Sequence, residues 1–197
     1  MIDRYEDANL LILSTSPKFE DKIKDIFQKE GFLHHQCVQS IQEAKRLIID
    51  YDVELMIIDA PLPSEDAMSL ALELARNKLF HNSIIMLVNA ELYEKNLYQA
   101  ERLGIVTFKK PMDPRLLLQT TRLLLSMRLK IKKLESKADK LKQKLEDDRL
   151  INRAKIVLVA KLNMSEAAAH HYIEKKAMDR CEKKTKVASE IIGMYET

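Results

Sequence analysis

Two groups of residues in this chain have the types and spacing to do chemistry. One centres on a carboxylate, Asp59, which ends the apolar run Leu55–Ile58; Lys110-Pro111 lies farther along, and Ser14-Thr15 follows the apolar run Leu10–Leu13. A carboxylate that ends a buried strand stands where a parallel sheet gathers its active groups. The other group is cationic: Arg153, Lys155, Lys175, Lys176, Arg180, Lys183 and Lys184, with Tyr172 and the pair His170-His171 among them. Such a group suits phosphates, and its guanidinium planes and aromatic ring can stack on unpaired bases. Each lysine taken alone is equally an ordinary solvated charge.

Other chemistries find no support. No Ser/His/Asp or Cys/His constellation and no glycine loop for phosphates stands out, so nothing points to an enzyme. His34-His35 and His170-His171 are adjacent pairs and cannot share one helical face. Cys37 and Cys181 lack metal-ligand spacing and are too few for a disulfide framework, so reduced thiols in a cytoplasm are expected. No metal site and no required cofactor is expected.

Charge separates along the chain. The net charge is +3, but residues 128–197 hold 18 Lys/Arg against 11 Asp/Glu, while residues 1–127 hold 15 against 19. An anionic partner for the C-terminal part follows from that asymmetry. No window approaches the ~18 uninterrupted apolar residues of a membrane span, and the first residues lack the apolar stretch of a signal peptide. A cytoplasmic protein with no membrane partner is the expectation.

The elements that must hold these groups can be read from periodicity. Strands are expected at Leu10–Leu13, Phe32–Val38, Leu55–Ile58, Ile84–Val88 and Val106–Phe108. Helices fall between them, over about residues 17–29, 41–50, 67–79 and 91–103. That alternation predicts an α/β fold, a doubly wound parallel five-stranded sheet covered on both faces. Its active groups gather at the carboxyl ends of the strands, where Asp59 falls.

Asp113 can cap a long helix, with Pro114 at its first position. No glycine or proline lies between Pro114 and Gly193. Leu117, Leu124, Ile131, Ala138 and Leu145 recur every seven residues, with Met127, Leu134 and Leu141 in the complementary places. This heptad seam predicts a coiled coil over residues 114–148 and a homodimer. Near Arg149 the period widens, and Asn163-Met164-Ser165 breaks it. Ile151 to Leu162, Ala168 to Ala177 and Val187 to Ile192 then supply an all-α three-helix C-terminal domain over residues 149–197.

That C-terminal pattern resembles the ANTAR domain, the RNA-binding module of transcription antitermination regulators. The resemblance rests on Arg153-Ala154-Lys155, Leu158, Leu162, Met164-Ser165-Glu166, Ala169, Ile173, Ala177-Met178-Asp179-Arg180 and Val187-Ala188. Ile156 stands where the family usually has glycine, and Cys181 replaces a more usual polar residue. Residues 1–127 resemble a response-regulator receiver domain: Asp59 matches the phosphoacceptor, Pro63 and Asp66 follow it suitably, and Lys110-Pro111 matches the pair after the fifth strand. Ser14 and Thr15 replace the acidic pair that should hold Mg²⁺, and Asn89 replaces a Ser/Thr.

The resemblance implies a dimer that binds stem-loop RNA in a nascent transcript leader and prevents terminator formation. Signals would arrive from a sensor kinase or another regulatory protein. Mg²⁺ binding is doubtful, because two hydroxyls are poor substitutes for two carboxylates. Asp59 is then either a structural ion-pair partner or a phosphoacceptor that draws its metal from elsewhere. Two other functions stay open: a DNA-binding response regulator with a helical output domain, and a protein-interaction scaffold.

Overall fold

The computed structural model describes residues 5, 7–62, 66–77 and 82–195. Pro63, and the last residues of the helix expected to reach Leu79, lie outside them. The chain divides into two compact units, residues 1–131 and 132–197.

The first unit alternates strand and helix in the order β1 (Leu10–Leu13), α1 (Pro17–Lys29), β2 (His35–Val38), α2 (Ile41–Asp50), β3 (Leu55–Asp59), α3 (Ala67–Arg76), β4 (Ser83–Val88), α4 (Ala90–Arg102) and β5 (Val106–Lys109). All neighbouring strands are parallel, in the order β2-β1-β3-β4-β5. This is the doubly wound sheet that the alternation predicts. The second strand is shorter than expected and starts at His35.

Residue parity along the strands sorts the core into two layers. Leu11, Leu13, Met56, Ile58 and Met86 pack with residues of α2, α3 and α4. Leu10, Ile12, Leu55, Ile57, Ile85 and Leu87 pack instead with Ile23 and Phe27 of α1. Side chains alternate faces along a strand, so Ser14 and Asp59 continue the second series and point to the α1 side. Polar caps start the helices: Ser16, Ser40, Asp66 and Asn89 each accept from a backbone N–H of the following turn.

Helix α5 spans Pro114–Leu162, 49 residues without a break. Asp113 begins it, its Oδ1 accepting from Arg115 N–H at 2.9 Å. Near Arg149, where the apolar period widens, the helix continues. Its first turns belong to the first unit, where Leu117, Leu118 and Leu125 complete the α1-side core. Leu117, expected in a dimer seam, is therefore only 1% exposed and spent on its own domain. Leu124 also packs partly on that core.

In the second unit the end of α5 packs with α6 (Glu166–Asp179) and α7 (Lys184–Tyr195). Ala154, Val157, Leu158, Ala169, Ile173, Ala177, Val187, Ala188 and Ile191 form the core of this three-helix arrangement. Ser165 caps α6 through a bond from Ala168 N–H at 3.2 Å. Between α6 and α7, Cys181 takes a left-handed conformation, φ 51°, and Glu182 N–H returns to Ala177 O at 3.0 Å. That bond closes the helix end in the manner of a Schellman turn.

Candidate functional site

Asp59 ends β3 and lies against Leu87 of β4 in the parallel register. β1 runs beside β3 with Leu13 opposite Ile58, which brings the next residues, Ser14 and Asp59, side by side. Ser14 Oγ donates to Asp59 Oδ2 at 2.9 Å, and both residues are buried. The other oxygen, Oδ1, meets the Lys110 ammonium as an ion pair without the alignment of a hydrogen bond. Lys110 Nζ also donates to Ala60 O at 2.6 Å. The ion pair anticipated from the sequence is present.

Of the other receiver-like side chains that are described, Asn89 and Asp66 cap helices. Thr15 is exposed. Asn89, expected near the carboxylate, is exposed and its Oδ1 accepts from Leu92 N–H at 2.9 Å. It caps α4, where a short amide satisfies an orphan N–H. Asp66 caps α3, its carboxylate accepting from Met68 N–H, Ser69 N–H and the Ser69 hydroxyl. The bonds from Ser69 hold the Asp66 carboxyl below its usual range. Cys37 is half-buried, and burial pushes its thiol up. Among the described residues, no group of three or more His, Cys, Asp or Glu is placed to hold a metal ion.

The C-terminal cations all lie within the helical unit, but several are already paired. Lys155 Nζ meets Glu166 at 3.0 Å, Arg180 meets Glu190 at 2.7 Å, and Lys184 pairs with Glu174. The last pair holds the Glu174 carboxyl below its usual range. Lys176 sits over the Tyr172 ring, 5.4 Å from its centroid. Those cations serve the α6–α7 hairpin and the α5–α6 corner as well as any ligand. Lys175 and Lys183 are exposed, as is Arg153. The acidic partners were missed from the sequence, since pairs across two helices carry no fixed spacing.

Along α5 the heptad positions that follow the receiver core are open. Met127 and Ile131 are exposed in the first unit; Leu134, Ala138, Leu141 and Leu145 are exposed in the second. Leu134 and Leu141 show 65% and 61% of their surface, too much for core leucines. Leu116 and Leu123, not singled out in the sequence, are also exposed, and Met127 follows Leu123 at helical spacing. No described helix is long and apolar enough to cross a membrane.

Comparison with known proteins agrees with both units. The ANTAR domain matches residues 139–192. The chain is 28% identical over 196 residues to the transcriptional regulatory protein PdtaR of Mycobacterium tuberculosis, covering 99% of this chain and 94% of that protein. Among solved structures, it resembles the chemotaxis response regulator CheY4 of Vibrio cholerae with a TM-score of 0.52 and 18% identity, over 59% of this chain and 98% of that one. A CheY-like receiver domain protein from Methanospirillum hungatei gives 0.54 and 21%, over 62% and 97%. At such identities the structural likeness speaks for the fold alone. Residues 139–192 thus match the ANTAR domain, and the first unit has the fold of the receiver domains it resembles.

Proposed function

We propose that this protein is a dimeric, RNA-binding transcription antitermination regulator. The observation that carries the reading is the ANTAR match at residues 139–192, with exposed Arg153, Lys175 and Lys183 in the same unit. The ligand is a stem-loop in a nascent transcript leader. Phosphate contacts from the lysines supply most of the affinity, and Arg153, Arg180 and Tyr172 face unstacked loop bases. The exposed seam from Met127 to Leu145 joins two copies, so tandem hairpins are held with avidity.

The receiver-like domain takes its signal from a sensor kinase or another regulatory protein of the cytoplasm, and conventional Mg²⁺-dependent phosphorylation fits its residues poorly. Phosphoryl transfer to Asp59 needs a cation to gather charge from the phosphoryl oxygens. Mg²⁺ prefers several carboxylate oxygens in octahedral array, whereas the neighbours of Asp59 are the Ser14 hydroxyl and the Lys110 ammonium.

The experiment is a mobility-shift titration of a tandem stem-loop RNA with wild type and with the double variant Lys175→Glu, Lys183→Glu. The variant should bind at least about tenfold more weakly, as two reversed phosphate contacts require. It should stay dimeric by sedimentation. Unchanged affinity would remove these lysines, and the surface they mark, from the RNA interface.

A further inference from the structure

Beside Asp59 the first unit holds a cavity of ≈ 450 Å³. Its walls are mainly hydrocarbon, from Phe19 and Ile23 of α1, Leu87 of β4, Met112, and Leu117 of α5. Its charged lining consists of two lysines, Lys22 and Lys110, against the single carboxylate of Asp59. Apolar walls, this volume and a few convergent polar groups are the marks of a small-molecule site.

We infer that this cavity binds a compact apolar monoanion, an aromatic or medium-chain carboxylate. Asp59 does not repel such a ligand as a free charge would. Its Oδ1 is ion-paired with Lys110 and its Oδ2 accepts from Ser14. The Lys110 ammonium faces Asp59 as an ion pair and donates a hydrogen bond to Ala60 O, which leaves it N–H capacity for an incoming oxygen. Lys22 is exposed on α1 and contributes the excess positive charge. Cations are opposed by both lysines. A dianion would have to leave its second charge against hydrocarbon, which is costly.

The place of the cavity gives its occupancy a consequence. Pro114 and Leu117 line it, and both belong to the opening turns of α5. A ligand there packs against the start of the helix that bears the heptad seam, so its binding energy acts on that helix's seating. The inference stands on the cavity's lining and charge and is independent of RNA recognition.

The test is isothermal titration calorimetry of the full chain with a panel of sodium carboxylates: octanoate, decanoate, phenylpropionate and phenylbutyrate, with phenylbutyramide as the uncharged match. At least one carboxylate should bind saturably, and loss of its charge should weaken binding about tenfold. Lys22→Gln, at an exposed position, should weaken the acid similarly and leave the amide unaffected. Met112→Trp, which fills the cavity, should abolish binding. If that variant fails to fold, Lys22→Gln and the acid–amide contrast still decide. No saturable heat from any carboxylate at millimolar concentration, or equal binding of acid and amide, would overturn the proposal.

Discussion

Ser14 Oγ donates a 2.9 Å hydrogen bond to Asp59 Oδ2 at the buried carboxyl ends of two adjacent parallel strands. A hydroxyl thus occupies the side of Asp59 where a metal-binding receiver has an acid. Ser14→Ala leaves a buried carboxylate oxygen without its donor and should cost roughly 1–3 kcal/mol in urea denaturation. Ser14→Asp should be destabilised further, by placing two carboxylates together, and Mg²⁺ should restore part of that loss. Wild-type stability should not respond to Mg²⁺. A wild type that Mg²⁺ stabilises as strongly as the Ser14→Asp variant would contradict this account of Asp59.

Two leucines of the same heptad series should behave in opposite ways. Leu117 is buried in the receiver core, whereas Leu141 is 61% exposed on α5. Leu117→Ala should cost about 2–5 kcal/mol of domain stability, the usual loss for a truncated core leucine. Leu141→Lys should leave receiver stability unchanged and shift sedimentation from dimer to monomer. If Leu141→Lys stayed fully dimeric, the exposed seam would not be the dimer contact.

The cap of α3 carries a pH signature. Asp66 is held below its usual carboxyl range in the folded chain, chiefly by hydrogen bonds from Ser69. A depressed folded value means its contribution is fully present above the unfolded pKa and is lost as pH falls through the folded one. Asp66→Ala should cost about 1 kcal/mol near neutrality, as for other N-caps. The gap from wild type should close on acidification below the carboxylate range. A pH-independent gap would mean the ionised carboxylate is not what caps the helix.

Cys181 occupies a left-handed backbone position, φ 51°, at the turn joining α6 to α7. Glycine is favoured there because it has no Cβ to clash. Cys181→Gly should therefore raise the stability of the C-terminal unit by about 1 kcal/mol, read from its thermal midpoint. A lowered midpoint would show that the Cys181 side chain contributes more than its backbone strain removes.

Much of this architecture was legible in the sequence, for identifiable reasons. Leu10–Leu13 and Leu55–Ile58 are continuous apolar runs bounded by polar residues, and Asn163-Met164-Ser165 breaks the helical period where Ser165 caps α6. Such local signals survive folding because the elements they describe are short and regular. Heptad spacing alone could not tell which face of α5 its own domain would claim, so Leu117 looked like a seam residue. Asn89 was read as a site residue by its place after β4, and its role as the cap of α4 went unread. The pairings of Lys155, Arg180 and Lys184 with acids on other helices depend on three-dimensional proximity, which no spacing rule reports. The apolar cavity beside Asp59 was equally hidden, since its walls come from α1, β4 and α5, far apart in the chain.

The most direct test of the central claim is a salt titration of the purified protein with a tandem stem-loop RNA and, in parallel, duplex DNA of matched length. RNA recognition predicts tighter binding to the hairpins at every salt concentration, with log affinity falling linearly as log salt rises. Equal or tighter binding to the duplex would contradict it and make the helical unit a DNA-binding head. Absence of salt-dependent binding to either nucleic acid would leave it a protein-interaction module.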